Sequence, residues 1–183
     1  MKFPKPDFSP KKRLSPAERG TTMHLFMQYA DYGCCLSLEG IEAERQRLVE
    51  REFLTREQGE ALQTEKLLAF FRSELGQRFL GSETLEREFK FSVLMDASAY
   101  YPDCSDEQIL LQGVVDCFLN EPDGLTILDF KTDRIQPGQE QSQAERYRGQ
   151  LTAYSDALSR IFGKPVKRRI LWFFATSSAV DVE

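Results

Sequence analysis

The stretch Glu121-Pro122-Asp123-Gly124, set between the apolar runs LLQGVVDCFLN and GLTILDFKTDR, constrains this chain more than any other feature. Pro presets φ early in a turn and Gly accepts the angles needed late in one, so the two runs fold back as an antiparallel hairpin. With the pivot between Pro122 and Asp123, paired residue numbers sum to 245 and Asp116 falls opposite Asp129. Lys131 then projects from the same face as both aspartates, because strand side chains alternate with period two. Two carboxylates opposed across a ladder repel each other. A divalent cation is the natural reason to keep them together: hard cations take carboxylate oxygens and retain waters, one of which can become a nucleophile. A neighbouring lysine adds positive charge beside that water or beside a phosphate. The constellation suits phosphodiester hydrolysis, although Asp-x-Lys alone is commonplace where a buried strand emerges into water.

Around the hairpin the pattern predicts an α/β chain. Residues 1–14, with three prolines and five basic residues, read as a linker or arm, and 15–183 as one domain. Ser15-Pro16-Ala17-Glu18 is a capping box with Pro at the first helical position, opening a helix to about Tyr32 with Met23, Phe26, Met27 and Ala30 as its apolar stripe. Gly20 lies inside that helix at a cost of about 1 kcal/mol relative to Ala, which close approach of another backbone, or a kink, would explain. Residues 40–80 read as two amphipathic helices, the second opened by Thr55-Arg-Glu-Gln58, with Leu62, Leu67, Leu68, Phe71 and Leu75 inward. A strand over Leu85–Met95 and an irregular stretch through Asp106 lead to the hairpin (109–119 and 124–131). A polar loop at 135–143 precedes a helix from about Ala144 to Phe162, capped by Gly163 with Pro165 beyond, and Val166–Ala175 forms a last strand. The order βββαβ behind an N-terminal helical part gives a mixed β-sheet flanked by helices.

Composition narrows the function classes. The chain has no apolar run long enough to span a membrane and no signal-peptide core at its start. Its four cysteines, Cys34, Cys35, Cys104 and Cys117, show no CxxC spacing, which fits a reduced, cytoplasmic protein. A net charge of −5 argues against strong bulk attraction to nucleic acid. Positive charge is local, at Lys2, Lys5, Lys11, Lys12 and Arg13 and again at Lys164, Lys167, Arg168 and Arg169. No GxxxxGK[ST] phosphate loop is present, so an ATP-driven motor would have to lie outside this chain.

Four ordered motifs resemble the nuclease domain of the RecB/AddA family of PD-(D/E)xK nucleases, most of all its AddA branch, in which that domain is C-terminal to a helicase. They are Gly20-Thr-Thr-Met-His24, Gly113-Val-Val-Asp116, Asp129-Phe-Lys131-Thr132-Asp133-Arg134, and Tyr147-Arg-Gly-Gln150-Leu-Thr-Ala-Tyr154. The likeness runs roughly from Leu14 to Phe174. It implies a restriction-endonuclease-like core. It also implies a Mg²⁺-dependent nuclease, exonucleolytic in kind, that acts on single-stranded DNA ends in double-strand-break repair beside a helicase motor and an AddB-like partner. Asp116, Asp129, Lys131 and Gln150 would be catalytic. His24, Asp116, Asp129 and the backbone carbonyl of Phe130 would hold the metal, and Tyr147, Gln150 and Tyr154 would contact substrate. Some relatives hold an iron–sulfur cluster with cysteines after the catalytic core; here none follows Cys117, so no such cluster is expected.

The residues on their own leave alternatives. His24 is the sole histidine, and a lone helical histidine is more often packing or surface than ligand. Imidazole suits Mn²⁺ better than Mg²⁺, so Mn²⁺ should be tolerated. Tyr147, Gln150 and Tyr154 share a helix face with Leu151 and Leu158, as a mixed core stripe would; alternatively Tyr147 stacks on a frayed base. Glu88 is placed as support for the site, and Asp133 and Arg134 as a brace for the loop or a pair. An inactive DNA-binding scaffold on the same fold would be expected to lose Asp129 or Lys131, and both are present. A free-standing exonuclease is the other alternative.

Overall fold

A computed structural model describes residues 14–101, 103 and 107–183. The arm read over 1–14, apart from Leu14, lies outside the described residues, as does Cys104. Helices α1 (Pro16–Tyr29), α2 (Leu38–Glu50), α3 (Arg56–Ala61), α4 (Thr64–Arg72) and α5 (Glu74–Leu80) precede strands β1 (Leu85–Asp96), β2 (Gln108–Glu121) and β3 (Gly124–Lys131). Then come α6 (Glu140–Ala144), α7 (Arg148–Phe162), β4 (Val166–Phe173) and β5 (Ser178–Asp181). The sheet has the order β1-β2-β3-β4-β5 and is antiparallel throughout except for the parallel pair β3–β4. This is the mixed sheet flanked by helices that the sequence predicts.

Strand β3 lies at the centre, and all eight of its residues are buried. Its even side chains, Leu128 and Phe130, join Met23, Phe26, Ile41, Leu48, Phe70 and Trp172 in a core beneath α1–α5. Its odd side chains, Leu125 and Ile127, join Phe118, Leu151, Leu158, Leu171 and Phe173 beneath α7. A strand covered on both faces reads as a continuous apolar run, and Asp129 and Lys131 are the charged exceptions to it. The hairpin has the expected register: Cys117↔Leu128 through Glu121↔Gly124 all sum to 245.

Local signals set most boundaries. The Ser15 capping box forms on α1, the Thr55–Gln58 box on α3, and Gly163 ends α7 at φ 64°. Four expectations need correction. Helix α1 stops at Tyr29, three residues short of Tyr32, because Ala30 turns extended and the Asp31 N–H goes to the Glu44 carboxylate at 2.7 Å. The second helix of the 40–80 segment is three: Leu62 and Ser73 adopt extended angles, and the Ser73 hydroxyl caps α5 at Gly76 N–H. Part of the loop read over 135–143 is helical (α6), and a 3₁₀ turn at Glu145–Tyr147 joins it to α7. The last strand ends at Phe173 and is followed by β5, reached through a turn in which Ser177 takes φ 51°.

Phe70 is fully buried and meets Phe71, Phe130 and Trp172 edge-on, which couples the helical layer to the strand carrying Asp129 and Lys131. Replacing it with Ala is expected to cost about 3–5 kcal/mol, as deletion of a core aromatic does, read as the shift in urea unfolding free energy.

Candidate active site

The Asp116 carboxylate sits where the ladder between β2 and β3 stops. Below it, Cys117 pairs with Leu128; at its own level, Asp116 Oδ2 accepts the Phe130 N–H at 2.7 Å. A side chain thus takes the place of a backbone acceptor, satisfying a buried donor as the strands part. The partner strand is irregular at the same level. The β1–β2 register steps from Arg87↔Cys117 to Phe89↔Val115, leaving Glu88 and Asp116 opposed between them, and Glu88 takes φ 51°. A left-handed non-glycine costs about 1–2 kcal/mol. It is accompanied by a switch of faces: Cys117 packs in the core under α1–α5, yet Val115 packs under α7. Strict period-two alternation therefore holds from Asp116 to the turn and fails beyond it.

Helix α1 brings His24 to this point, its Nδ1 3.2 Å from Asp116 Oδ1. Two contacts seat the helix. Arg87 donates to the carbonyls of Met27 (3.3 Å) and Ala30 (2.8 Å), which the end of α1 leaves free. A Cβ on Gly20 would stand 2.6 Å from Thr132 Oγ1, so the glycine admits a side chain just past Lys131, rather than the second backbone that the sequence suggests.

Across the gap, Asp129 and Lys131 are both buried, and Lys131 Nζ lies 2.6 Å from Asp129 Oδ2. Among the described residues, the ammonium is the one polar neighbour recorded for that oxygen. The ammonium has two further neighbours: Gln150 Oε1 at 2.9 Å, and the Tyr147 ring, whose centroid is 3.7 Å away. Gln150 must present its oxygen to a group that only donates, and its Nε2 meets the Tyr154 hydroxyl at 2.7 Å. Tyr154 in turn packs edge-on against Phe91. The Tyr147 hydroxyl is held on Asp133, 2.9 and 2.8 Å from the two carboxylate oxygens, and Gln143 reaches the same group at 3.3 Å.

The predicted site residues therefore converge. His24, Asp116, Asp129, Lys131, Tyr147, Gln150 and Tyr154 all line one open cleft of about 1130 Å³, together with Phe130. Asp133 braces Tyr147, and Glu88 is half-buried close to Asp116. Arg19, Lys66 and Arg134 also line the cleft; nothing in the sequence separates Arg19 and Lys66 from other surface cations. Among the described residues, no three His, Cys, Asp or Glu side chains already converge on an ion position. The cation beside Asp129 is the lysine.

Electrostatics follow from the geometry. Burial pushes the Asp129 carboxyl up to about 6, the charge of Asp116 adds to this, and Lys131 opposes it. For His24, burial lowers the imidazole, but the hydrogen bond and charge of Asp116 outweigh it and leave the group above its ordinary value. Burial raises Glu88, with Asp116 adding to the effect. Burial and the bond to Asp133 lift the Tyr147 hydroxyl to about 12, so it remains a donor at neutral pH.

An acid whose native value is raised holds its proton longer when folded, so stability is present at low pH and lost as pH rises through the native value. Metal-free protein is expected to lose on the order of 3 kcal/mol of unfolding free energy between pH 4 and pH 6 on account of Asp129, raised to about 6. Urea melts across that range should show this fall, and Asp129→Asn should lack it.

The chain is similar to known proteins over nearly its whole length. Residues 2–181 match the model of the PD-(D/E)XK nuclease superfamily. The chain is 40% identical over 174 residues to an ATP-dependent helicase/nuclease subunit from Desulforamulus reducens, covering 93% of the chain and 14% of that protein. It is 39% identical over 189 residues to the protein of the same name from Bacillus cytotoxicus (98% and 15%), and 40% identical over 178 residues to that of Clostridium botulinum (94% and 14%). The chain thus spans about one-seventh of the length of these relatives.

Proposed function

The chain belongs to the PD-(D/E)XK nuclease superfamily, and on that footing we propose that it is a metal-dependent deoxyribonuclease acting on single-stranded DNA ends. The observation that carries this reading is the meeting of Asp116, Asp129 and Lys131 in one cleft, with the Asp129 carboxylate buried beside the Lys131 ammonium. A buried carboxylate whose oxygen is balanced only by a lysine, facing a second carboxylate, suits a hard divalent cation. Asp116, Asp129 and His24 would hold it, aided by the Phe130 carbonyl, since a strand residue's N–H and C=O project to the same side and the Phe130 N–H faces Asp116. When bound, Mg²⁺ or Mn²⁺ supplies Lewis-acid polarisation of the phosphate and a water of lowered pKa.

The chain's own groups do the rest. Lys131, held at a fixed point by Gln150, places positive charge where negative charge accumulates on the phosphoryl oxygens in the transition state. With its Nδ1 hydrogen-bonded to Asp116, His24 keeps the other ring nitrogen available as a ligand. Gln150 also presents polar atoms to the cleft, and Tyr154 fixes its orientation. Arg19, Lys66 and Arg134 supply cationic contacts for a phosphate backbone in a chain whose net charge is −5. The relatives' name supports a helicase–nuclease setting in which ATP is used by a motor outside this chain; the resemblance to the RecB/AddA family is what suggests a cytoplasmic enzyme that trims double-strand breaks exonucleolytically with an AddB-like partner protein.

The test is cleavage of end-labelled single-stranded DNA with Mg²⁺, Mn²⁺ or EDTA, with metal binding followed by calorimetry. Wild-type protein should cleave only with metal. Asp129→Ala should lose both cleavage and metal binding, and Lys131→Ala should bind metal but lose cleavage by about 10²-fold or more. Full activity in Lys131→Ala would remove that residue from the mechanism, and absence of metal binding by wild type would leave a DNA-binding scaffold.

A further inference from the structure

We propose that Tyr147, anchored by Asp133, is the positioning residue for Lys131. It serves as the fixed seat of the ammonium when Asp129 is engaged by a cation, and not as a platform for a nucleotide base. The inference rests on the reading of Lys131 as the catalytic lysine.

Among the described residues, Lys131 has one charged neighbour within ion-pairing distance, Asp129 at 2.6 Å. A cation bound by Asp129 would repel the ammonium and claim the carboxylate oxygen that pairs with it. What then remains to hold a buried lysine in place is the Gln150 oxygen at 2.9 Å and the Tyr147 ring at 3.7 Å from its centroid. A ring face bearing negative quadrupole density attracts an ammonium, most strongly where water is excluded. The ring itself is fixed from behind, because both oxygens of Asp133 accept from its hydroxyl, at 2.9 and 2.8 Å. Asp133 is steadied in turn by Gln143 at 3.3 Å.

The backbone is shaped for this placement. Tyr147 closes the 3₁₀ turn between α6 and α7, with φ −99° and ψ −3°, in the sparsely populated bridge region. The device also assigns a purpose to Asp133, which is a charged residue that touches no reacting group.

Two readouts test the assignment. The first needs no cleavage. In protein labelled at lysine, the Lys131 ε-methylene protons, identified by their loss in Lys131→Arg, should resonate upfield under the Tyr147 ring current. That shift should persist when Mg²⁺ is added, shrink in Tyr147→Phe, which keeps the ring but loses the Asp133 anchor, and vanish in Tyr147→Leu. An ordinary ε-methylene position in wild type, or loss of the shift on adding Mg²⁺, would overturn the proposal. The second is kinetic, on variants whose thermal melting matches wild type. Tyr147→Leu should lower kcat about thirtyfold, the equivalent of one desolvated cation–π contact. Affinity for single-stranded DNA in EDTA should not change, and Tyr147→Phe, with the ring but not the Asp133 anchor, should recover part of the loss. A raised KM and weakened DNA binding at unchanged kcat would instead assign the ring to base stacking. If wild type shows the shifted resonance but no cleavage, the nuclease reading fails and the positioning role stands.

Discussion

The ion pair between Lys131 and Asp129 is the constraint to which the rest of the structure answers. Both charges are buried at the end of a strand whose every residue is covered. Removing two ions from water costs several kcal/mol each, and their mutual attraction offsets this only with good geometry and further polar partners. Lys131 has those partners in Gln150 and the Tyr147 ring, whereas one Asp129 oxygen has none. The imbalance is maintained by two apolar cores on either side of the sheet, which fix β3 whatever its C-terminal end contains. A domain that needed only stability would place apolar side chains at both positions.

The second carboxylate depends on a controlled failure of the sheet. Were β2 to continue alongside β3 past Cys117↔Leu128, the Phe130 N–H would take a backbone acceptor and Asp116 would point away as an ordinary strand residue. The split lets the Asp116 side chain take that donor, and beyond the coincident left-handed residue Glu88, Phe91 of β1 and Val115 of β2 pack in the core under α7. Strain of this kind persists where surrounding packing over-determines it; here Phe89 and Phe118 meet edge-on immediately beyond the bend. The same gap is what His24 reaches from α1, so one irregularity brings the helical layer and the sheet to a common point.

How much of this was legible in the sequence depended on the range of the forces involved. The Ser15 and Thr55 caps, the Pro122–Asp123 pivot and the Gly163 stop are decided within four residues, and the structure has them all. The hairpin register followed from the pivot as far as Cys117↔Leu128; the expected pairing of Asp116 with Asp129 is not formed, because the ladder ends there and Asp116 accepts the Phe130 N–H instead. Breaks at Leu62 and Ser73 were not legible, because the apolar stripe runs through both and the splitting comes from packing of the short helices on α2 and the sheet. Strand β5 was hidden by a turn without Gly or Pro, in which a serine adopts the left-handed angle. Gly20 announced a close approach, but only tertiary structure identifies Thr132 as the neighbour. For Tyr147, the helical stripe gave its face correctly and its partner not at all, since the 3₁₀ turn that aims the ring has no signature in composition.

The environment of residue 131 also explains why a lysine stands there and not another cation. Its neighbours lie in different directions: a carboxylate oxygen at 2.6 Å, an amide oxygen at 2.9 Å and a ring face at 3.7 Å. An ammonium has three N–H groups splayed about a compact charge and can serve all three at once. A guanidinium is planar and carries its donors in a rigid fork suited to two oxygens in one plane. Laid on the Tyr147 ring, it would turn those donors away from Asp129 or from Gln150. The site therefore selects for the shape of the charge as well as its sign, and that selection comes from α7 and the turn before it, not from the strand that carries the residue.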